Sequence, residues 1–564
     1  MTSPAGNTTP EQDAEAILDW TTARLAAGSD AEARDALAAA VARMPDHAAL
    51  AAQYADALRL DAQLAAAATE YHRALSLDPS LPEAWAGLGA AELARAAYGE
   101  AARCLRRAVA LRSDLAEFRF NLGQALFELG EVDAARDCYR RIAESGHPKL
   151  AQEARRNIAC LIPGAAGADN AAVLQARRAW AEREAAERRD RPPPAPAAKL
   201  RIGYVSSFFA DRNWMKPVWG AVNHHDRSRF EIHLFSDGRP PDAGSGYRDY
   251  PNDYIHDVRG APNDGLAGYV ARCNIDILVD LNGYSVPRRL GLFMRRPAPL
   301  IVGWFNMFAT TGIDAFDYIV GDDTVIPAAE ERFYSERVLR VPGSYLAFSV
   351  PYPVPDVAPP PVLADGHLTF GCFCSHYKIT DATVDAWAAI LRGAPQTRLL
   401  LKNRALGDAS NQAHLRDRFA RRGVDAERLL LDGPSEHSAF LAAYGRVDIA
   451  LDTFPYSGGT TTMEALWQGV PVLTCDGDRW ASRTSLSLLR AAGLEDWCLA
   501  DRDALVAQAI ALARSPATQD ALASLRAVMR DRLARAPVCD SAGLCRGLEA
   551  IYERVGRRHS EARQ

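Results

Sequence analysis

Leu451-Asp-Thr-Phe-Pro-Tyr-Ser-Gly-Gly-Thr-Thr-Thr-Met-Glu464 is the stretch from which the rest of the chain can be read. A β-rich run ends at about Asp452, a glycine pair follows, and three threonines lead into a helical run from Glu464 to Gln468. Glycines let a backbone approach a ligand closely. Hydroxyls and free amides at a helix N-terminus, with the helix dipole behind them, hold phosphate oxygens. On this reading Gly458, Gly459, Thr460, Thr461 and Thr462 grip phosphate, and Glu464, one turn in, accepts hydrogen bonds from ribose hydroxyls. The same letters also spell an ordinary capped strand-to-helix turn, since threonine is a common N-cap.

Working outward, short β-rich runs alternate with helical stretches on both sides. Upstream they are Arg201–Ser206, Phe230–Phe235, Ile275–Asp280, Leu300–Trp304, Tyr318–Val320 and Val338–Val341. A proline-rich stretch, Pro351 to Pro361, interrupts the rhythm. It resumes with Leu368–Phe373, Arg398–Lys402, Arg428–Leu431, Asp448–Leu451 and Val470–Thr474. This is the pattern of parallel, doubly wound sheets. It predicts two Rossmann-like halves, residues 199–350 and 367–535, joined by a linker at 351–366, with ligands at the carboxyl ends of the strands in the cleft between them. Helices from Ala517 onward are expected to pack back across the halves, with 536–564 as a C-terminal helix and tail.

The N-terminal third has a different texture, rich in Ala, Leu and Arg. Ala33, Ala67, Ala101 and Ala135 fall 34 residues apart, as do Leu37, Tyr71, Leu105 and Tyr139, and as do Ala40, Ala74, Ala108 and Ile142. A 34-residue period with small residues at helix crossings is the tetratricopeptide (TPR) signature. We therefore expect an α-helical TPR solenoid over 14–160, after a disordered tail at 1–13. Its short groove would dock a protein or peptide. A connector at 161–198 carries a helix, Ala171 to Arg189, which Arg191-Pro-Pro-Pro-Ala-Pro196 breaks.

Composition narrows the function classes. The 564 residues hold 65 Lys and Arg against 71 Asp and Glu, a net charge of −6. A mildly acidic chain is a poor general nucleic-acid binder. No apolar run reaches the length of a membrane span, and the N-terminus lacks a secretory pattern. Ten cysteines are scattered without a CxxC pair, which suits reduced thiols and a cytoplasmic location.

Other strand ends supply further candidates. Phe373-Cys-Ser-His-Tyr-Lys-Ile379 places Lys378 on the cleft rim, where a fixed cation stabilises the charge growing on a departing diphosphate. Gly433-Pro-Ser-Glu-His-Ser438 offers His437 to a nucleobase. In the first half, Ser206–Trp214, Asp280–Tyr284 and Trp304–Gly312 follow strands and should shape the acceptor and sugar pockets, which brings in Arg212, Asp280 and Asn306. Asp211, Asp280 and Tyr284 are acid/base candidates by residue type. There is no G-x-x-x-x-G-K-[ST] loop, which excludes a P-loop ATPase. Asp476-Gly-Asp478 reads as a late turn, so no metal is called for.

The repeats, Arg201-Ile-Gly-Tyr-Val-Ser-Ser207, Asp276-Ile-Leu-Val-Asp-Leu-Asn-Gly-Tyr284, Arg296-Pro-Ala-Pro299, Tyr377-Lys-Ile379 and the Leu451–Trp467 block together resemble the SPINDLY-like, O-GlcNAc transferase family (glycosyltransferase family 41). The resemblance runs from the repeats to about Leu533. It implies a GT-B fold and an inverting, metal-independent enzyme that moves a sugar from a nucleotide donor to Ser or Thr of a protein. By motif position it implies that Lys378 contacts the diphosphate and that Thr460 and Thr461 bind phosphate. Glu464 would touch the ribose and His437 the uracil, with Ser375 standing where animal members use a phosphate-contacting glutamine.

The first half departs from the family. Arg212-Asn213 replaces a histidine before proline, Asn282-Gly-Tyr284 replaces Asn-Gly-His, and Phe305-Asn-Met-Phe-Ala309 replaces Leu-Gly-Tyr-Pro-Gly. In the second half, Gly459 stands where animal members have a histidine. UDP-GlcNAc is the first expectation for the donor, with UDP-glucose and GDP-fucose open. Asn-directed transfer, a lipid or polysaccharide acceptor, a TPR scaffold with an inactive transferase domain, and a homodimeric assembly stay open as well.

Overall fold

The computed structural model describes residues 10–184 and 197–561. They form two compact units, residues up to 154 with 404–417, and residues 155–403 with 418–564. Residues 10–13, expected in the tail, begin the helix Pro10–Ala26. The rest of that tail and the Arg191–Pro196 break lie outside the described residues.

In the first unit the 34-residue columns are packing columns. Ala33, Ala67, Ala101 and Ala135 are wholly buried, as are Leu37, Tyr71 and Leu105. Small residues are required where paired helices cross. A Cβ on Gly89, in Pro82–Ala94, would stand 2.5 Å from Leu105 of Tyr98–Leu111. One on Gly123 would stand 2.9 Å from the Tyr139 ring. Segment 404–417, expected within the second half, packs instead in this unit. Asn411 donates to the Ala96 carbonyl at 2.8 Å and accepts the Gly99 N–H at 2.9 Å.

In the second unit thirteen strands are described: β1 (Leu200–Ser206), β2 (Phe230–Ser236), β3 (Tyr254–Asp257), β4 (Ile277–Asp280), β5 (Leu300–Gly303), β6 (Tyr318–Gly321), β7 (Arg337–Arg340), β8 (Thr369–Cys372), β9 (Arg398–Lys402), β10 (Leu429–Asp432), β11 (Ile449–Leu451), β12 (Val472–Cys475) and β13 (Cys498–Leu499). They form two parallel sheets, ordered β3-β2-β1-β4-β5-β6-β7 and β10-β9-β8-β11-β12-β13. Both orders reverse direction beside their first strand, at β1/β4 and β8/β11. That is the switch point at which loops splay apart and admit a ligand. Sequence periodicity missed β3 and β13. The first is four residues long and largely exposed, the second only two residues long, and neither presents a buried apolar run.

The C-terminal helices return across both halves, as expected. Arg526, in Thr518–Ala534, donates to the linker carbonyls of Ala358 and Pro359. Ser541–Glu561 lies on the first half, where Glu549 accepts the Asp226 N–H at 2.8 Å and Tyr552 meets Tyr204. Its buried face completes the core around β1 and β2.

The connector helix, Asn170–Ala181, braces the loop after β5. Arg177 is buried there, and its guanidinium donates to the Thr310 carbonyl at 2.6 Å and to the Ala159 carbonyl at 3.1 Å. Gly312 lets the loop pass beneath the helix. Its φ is +67°, and a Cβ would lie 2.6 Å from the Arg177 Cβ and 2.9 Å from the Arg178 backbone nitrogen. Both the left-handed backbone and the close backbone neighbour oppose any side chain. Gly312→Ala is expected to destabilise this unit by about 1–3 kcal/mol. A lowered thermal midpoint in scanning fluorimetry would register it, and an unchanged midpoint would contradict this account.

Candidate nucleotide-binding cleft

The loops after β1, β5, β8 and β11, together with the turn before the helix His437–Ala442, surround one cavity of about 550 Å³. The first half contributes Asp211, Asn213, Asn306 and Phe308 among others. The second half contributes Ser375, Lys378, His437, Gly458, Gly459, Thr460, Thr461 and Glu464. Residues far apart in sequence thus converge because each follows a strand end near a switch point.

The phosphate-side wall is built around Asp452. Its buried carboxylate accepts the Gly458 and Thr453 N–H groups at 2.7 and 2.9 Å, and the Thr474 hydroxyl at 2.7 Å. These bonds fold Ser457–Gly459 back over the end of β11 and start the helix Thr460–Trp467 at the cavity. Gly458 must lack a side chain, because a Cβ would press on the Thr462 hydroxyl at 2.3 Å. Lys378 reaches the same turn. Its ammonium donates to the Ser457 carbonyl at 2.8 Å and lies 4.0 Å from the centre of the Tyr456 ring. Burial holds its pKa below the ordinary lysine value, opposed by the nearby Cys374 and Asp452. An ammonium has three donors, and this contact uses one.

At the other end, His437 begins its helix between aromatic neighbours, with ring centroids 6.0 Å from Tyr352 and 6.3 Å from Phe440. Burial, with the charges of Lys216 and Arg212 behind it, pushes its pKa down to about 4, so the ring is neutral at physiological pH. Glu464 accepts a hydrogen bond from Lys216 at 2.8 Å in an ion pair that joins the two halves. Burial raises the Glu464 pKa and Lys216 opposes that rise. Three cavity-lining residues carry buried polar atoms with no hydrogen bond among the described residues: Asn213 Oδ1, Asn306 Oδ1 and His437 Nε2. Such atoms are open to a hydrogen bond from a ligand or from water.

Not every expected residue faces this cavity. Thr462 points into the protein, where its hydroxyl meets Ser485 at 2.9 Å. Tyr284 is buried under the Arg177 guanidinium and donates to the Thr311 carbonyl at 2.6 Å, so it braces the loop after β5. Asp280 is fully buried and accepts the Asn282 and Gly283 N–H groups, shaping the turn after β4. Arg212 stacks on Tyr352 at 4.3 Å and is not among the residues that line the cavity. Asp211 does line the cavity. Its carboxylate caps the helix Arg212–Val222 by accepting the Trp214 N–H. Asn306 also lines it, held by the Asn282 carbonyl and the Ser285 hydroxyl.

Sequence reasoning missed Lys216 and Asp452 as site residues. Lys216 lies inside an apolar helical run with no motif around it. Asp452 was visible only as a strand end, although a strand-terminal aspartate before a glycine pair is the signal that a turn needs an acceptor.

A family model, glycosyl transferase family 41, matches residues 183–348 and 361–548. The chain belongs to glycosyltransferase family 41. A mutant O-GlcNAc transferase of Thermobaculum terrenum has a solved structure that matches 92% of this chain and 98% of its own, at 32% identity and a TM-score of 0.75. The chain's relatives in plants include a probable UDP-N-acetylglucosamine–peptide N-acetylglucosaminyltransferase SPINDLY from Solanum lycopersicum. It is 31% identical over 65% of this chain and 40% of its own length. A probable UDP-N-acetylglucosamine–peptide N-acetylglucosaminyltransferase SEC from Arabidopsis thaliana is 27% identical over 65% of this chain and 38% of its own. The chain therefore spans about two-fifths of the length of these curated relatives.

Two expectations follow from the cleft. Lys216→Met strands the buried Glu464 carboxylate and should cost about 3–5 kcal/mol, much of it recovered in Lys216→Met/Glu464→Leu. Chemical denaturation of both variants reads this directly, and equal losses would show that the pair is not the cause. Burial pushes the Asp280 carboxyl up to about 7. The folded state therefore keeps a proton that the unfolded chain releases, and this contribution to stability is lost as pH rises from about 4 to about 7. Asp280→Asn should remove that slope, at most about 1.4 kcal/mol per pH unit, from denaturation midpoints measured between pH 5 and 8.

Proposed function

We propose that this chain is an inverting glycosyltransferase that moves GlcNAc from UDP-GlcNAc to a Ser or Thr hydroxyl of a protein held by the TPR repeats. The observation that carries this reading is the convergence of an ammonium (Lys378), a helix N-terminus (Thr460, Thr461) and an aromatic-flanked neutral imidazole (His437) on one cavity. Those three groups suit a diphosphate, its phosphate oxygens and a nucleobase respectively. The relatives named as UDP-N-acetylglucosamine–peptide N-acetylglucosaminyltransferases point to UDP-GlcNAc as the donor and a peptide as the acceptor.

In this reading the uracil stacks beside His437 and the ribose meets Glu464, which its hydrogen bond from Lys216 holds in place. The acceptor oxygen attacks the anomeric carbon from the first-half side as the bond to the diphosphate breaks. Lys378 and the amides of the Thr460 turn take up the charge on the departing UDP, the point at which preorganised donors contribute most. No metal is needed where a cation and a helix dipole already face the diphosphate. Asp211 is the cavity-lining carboxylate on the acceptor side and is proposed to receive the hydroxyl proton. Ser375 and Asn306 line the diphosphate and sugar ends. A cytoplasmic location fits the ten free cysteines, and no described helix is long and apolar enough to cross a membrane.

Purified protein offered a panel of UDP- and GDP-sugars and a peptide mixture, with products read by mass spectrometry, tests the reading. UDP-GlcNAc-dependent mass addition at Ser or Thr is expected, and absence of transfer from every donor would overturn it. Lys378→Met should lower kcat by about 10²–10⁴-fold with a much smaller change in donor KM. Because His437 titrates near 4, UDP affinity should stay flat from pH 6 to 8 and fall only as the ring gains charge in acid. Calorimetric titration across that range is the check.

A further inference from the structure

Well away in sequence from the cleft loops, the free edge of the first sheet gathers three ligand-type side chains. His233 is on β2, His256 on edge strand β3, and Cys273 caps the end of the helix Asn263–Arg272. One ligand atom from each lies within 4.8 Å of the other two. The two imidazoles face one another, with Nδ1 of His233 3.0 Å from Nε2 of His256.

The outer nitrogens are already held. Nε2 of His233 meets the Glu231 carboxylate at 2.9 Å, and Nδ1 of His256 meets the Tyr269 hydroxyl at 2.8 Å. A ring whose far nitrogen is fixed by a carboxylate or hydroxyl turns its near nitrogen inward in one orientation, which is how metal-binding histidines are supported. Stacking fixes the rings further. His233 lies on Tyr254 at 4.5 Å, and His256 lies on Phe235 at 4.5 Å.

We propose that His233, His256 and Cys273 form a binding site for a divalent transition metal, zinc first, with Glu231 and Tyr269 positioning the two rings. Two imidazoles and a thiolate are a borderline-soft set suited to tetrahedral zinc, and water fills the fourth place. With Zn–N near 2.0 Å and Zn–S near 2.3 Å, ligand atoms on such an ion stand roughly 3.3–3.6 Å apart. The ion would replace the present hydrogen bond between the two inner ring nitrogens, and the remaining separations, all within 4.8 Å, would close by at most roughly 1.2–1.5 Å. On binding, Cys273 loses its thiol proton to solvent and the sulfur–metal bond forms; nothing is oxidised. The charges around the site are compatible. Burial raises the Cys273 thiol pKa and Arg272 opposes that rise, Glu231 offsets the ion, and Arg201 is paired with Asp276. The metal would tie β3, β2 and the helix end together and so stiffen an otherwise exposed edge strand.

Full-length protein, reduced and stripped with a chelator, would be titrated anaerobically with Co²⁺. The expected result is a thiolate-to-cobalt charge-transfer band with tetrahedral d–d bands, saturating at a single equivalent and displaced by Zn²⁺. Cys273→Ser should abolish the charge-transfer band, and His256→Gln should weaken cobalt affinity by at least roughly 100-fold. Glu231→Gln should weaken it by about 10–100-fold. Circular dichroism of Cys273→Ser, a partly exposed and near-isosteric change, checks that the fold is retained. Cys545→Ser alters the separate His225–Cys545–Glu549 cluster and should leave the band intact. No band in the wild type, or a band that survives in folded Cys273→Ser, would overturn the assignment.

Discussion

A single buried carboxylate organises the cleft. Asp452 sits at the end of β11 out of water, where burial raises its pKa and the Thr474, Gly458 and Thr453 donors that converge on it oppose that rise. Those donors are not incidental to the site. The Gly458 amide fixes where the turn reverses, the Thr453 amide fixes how it leaves the strand, and the Thr474 hydroxyl anchors it to β12. Once the turn is set, the Ser457 carbonyl has one position, and with it the Lys378 ammonium. The helix N-terminus at Thr460 is aimed by the same fold of chain. Remove the acceptor and cation, hydroxyls and dipole lose their common reference.

The two halves are bound by unlike means. Across the cleft Lys216 reaches Glu464, Arg483 reaches Glu330 at 2.8 Å, and Ser487 donates to Asp322 at 2.7 Å. All are buried or largely so, where an ion pair or hydrogen bond is specific because its failure is expensive. The first-half loop after β5 is held differently. Phe305 and Phe308 both adopt left-handed φ values, +73° and +55°, a conformation that residues with a Cβ avoid. The Arg177 guanidinium and the Tyr284 hydroxyl clamp the carbonyls that follow. Strain held in place by surrounding structure is a common property of loops that shape a pocket.

Much of this was legible in the letters. The 34-residue columns named the buried face of the repeats, and the βαβ rhythm located eleven of the thirteen described strands to within a few residues. Lys378, His437, Thr460, Thr461 and Glu464 could be placed together because each follows a strand in a fold whose strand ends converge. What could not be read was direction. Thr462 continues a run of hydroxyls, yet helical geometry turns it inward to Ser485. Asp280 and Tyr284 lie at a strand end and have the right chemistry, but their polar atoms are consumed by backbone groups nearby. Lys216 was invisible for the opposite reason: its partner is 248 residues away, and only the folded chain brings them together. Segment 404–417 shows the same limit, since nothing local distinguishes a helix that serves one unit from a helix that serves another.

The C-terminal helix carries a temporal implication. His225 lies between Tyr204 and Glu549, and Cys545 and Tyr552 complete the same buried group, so the first sheet's core borrows from residues more than 300 positions downstream. At roughly 5–20 residues per second, a ribosome needs about 15–60 s to span that interval. Until it does, the nascent first half presents an unfilled apolar trough to its surroundings. Its maturation is tied to completion of synthesis, and this is the stage at which chaperone capture and misassembly compete with the native route.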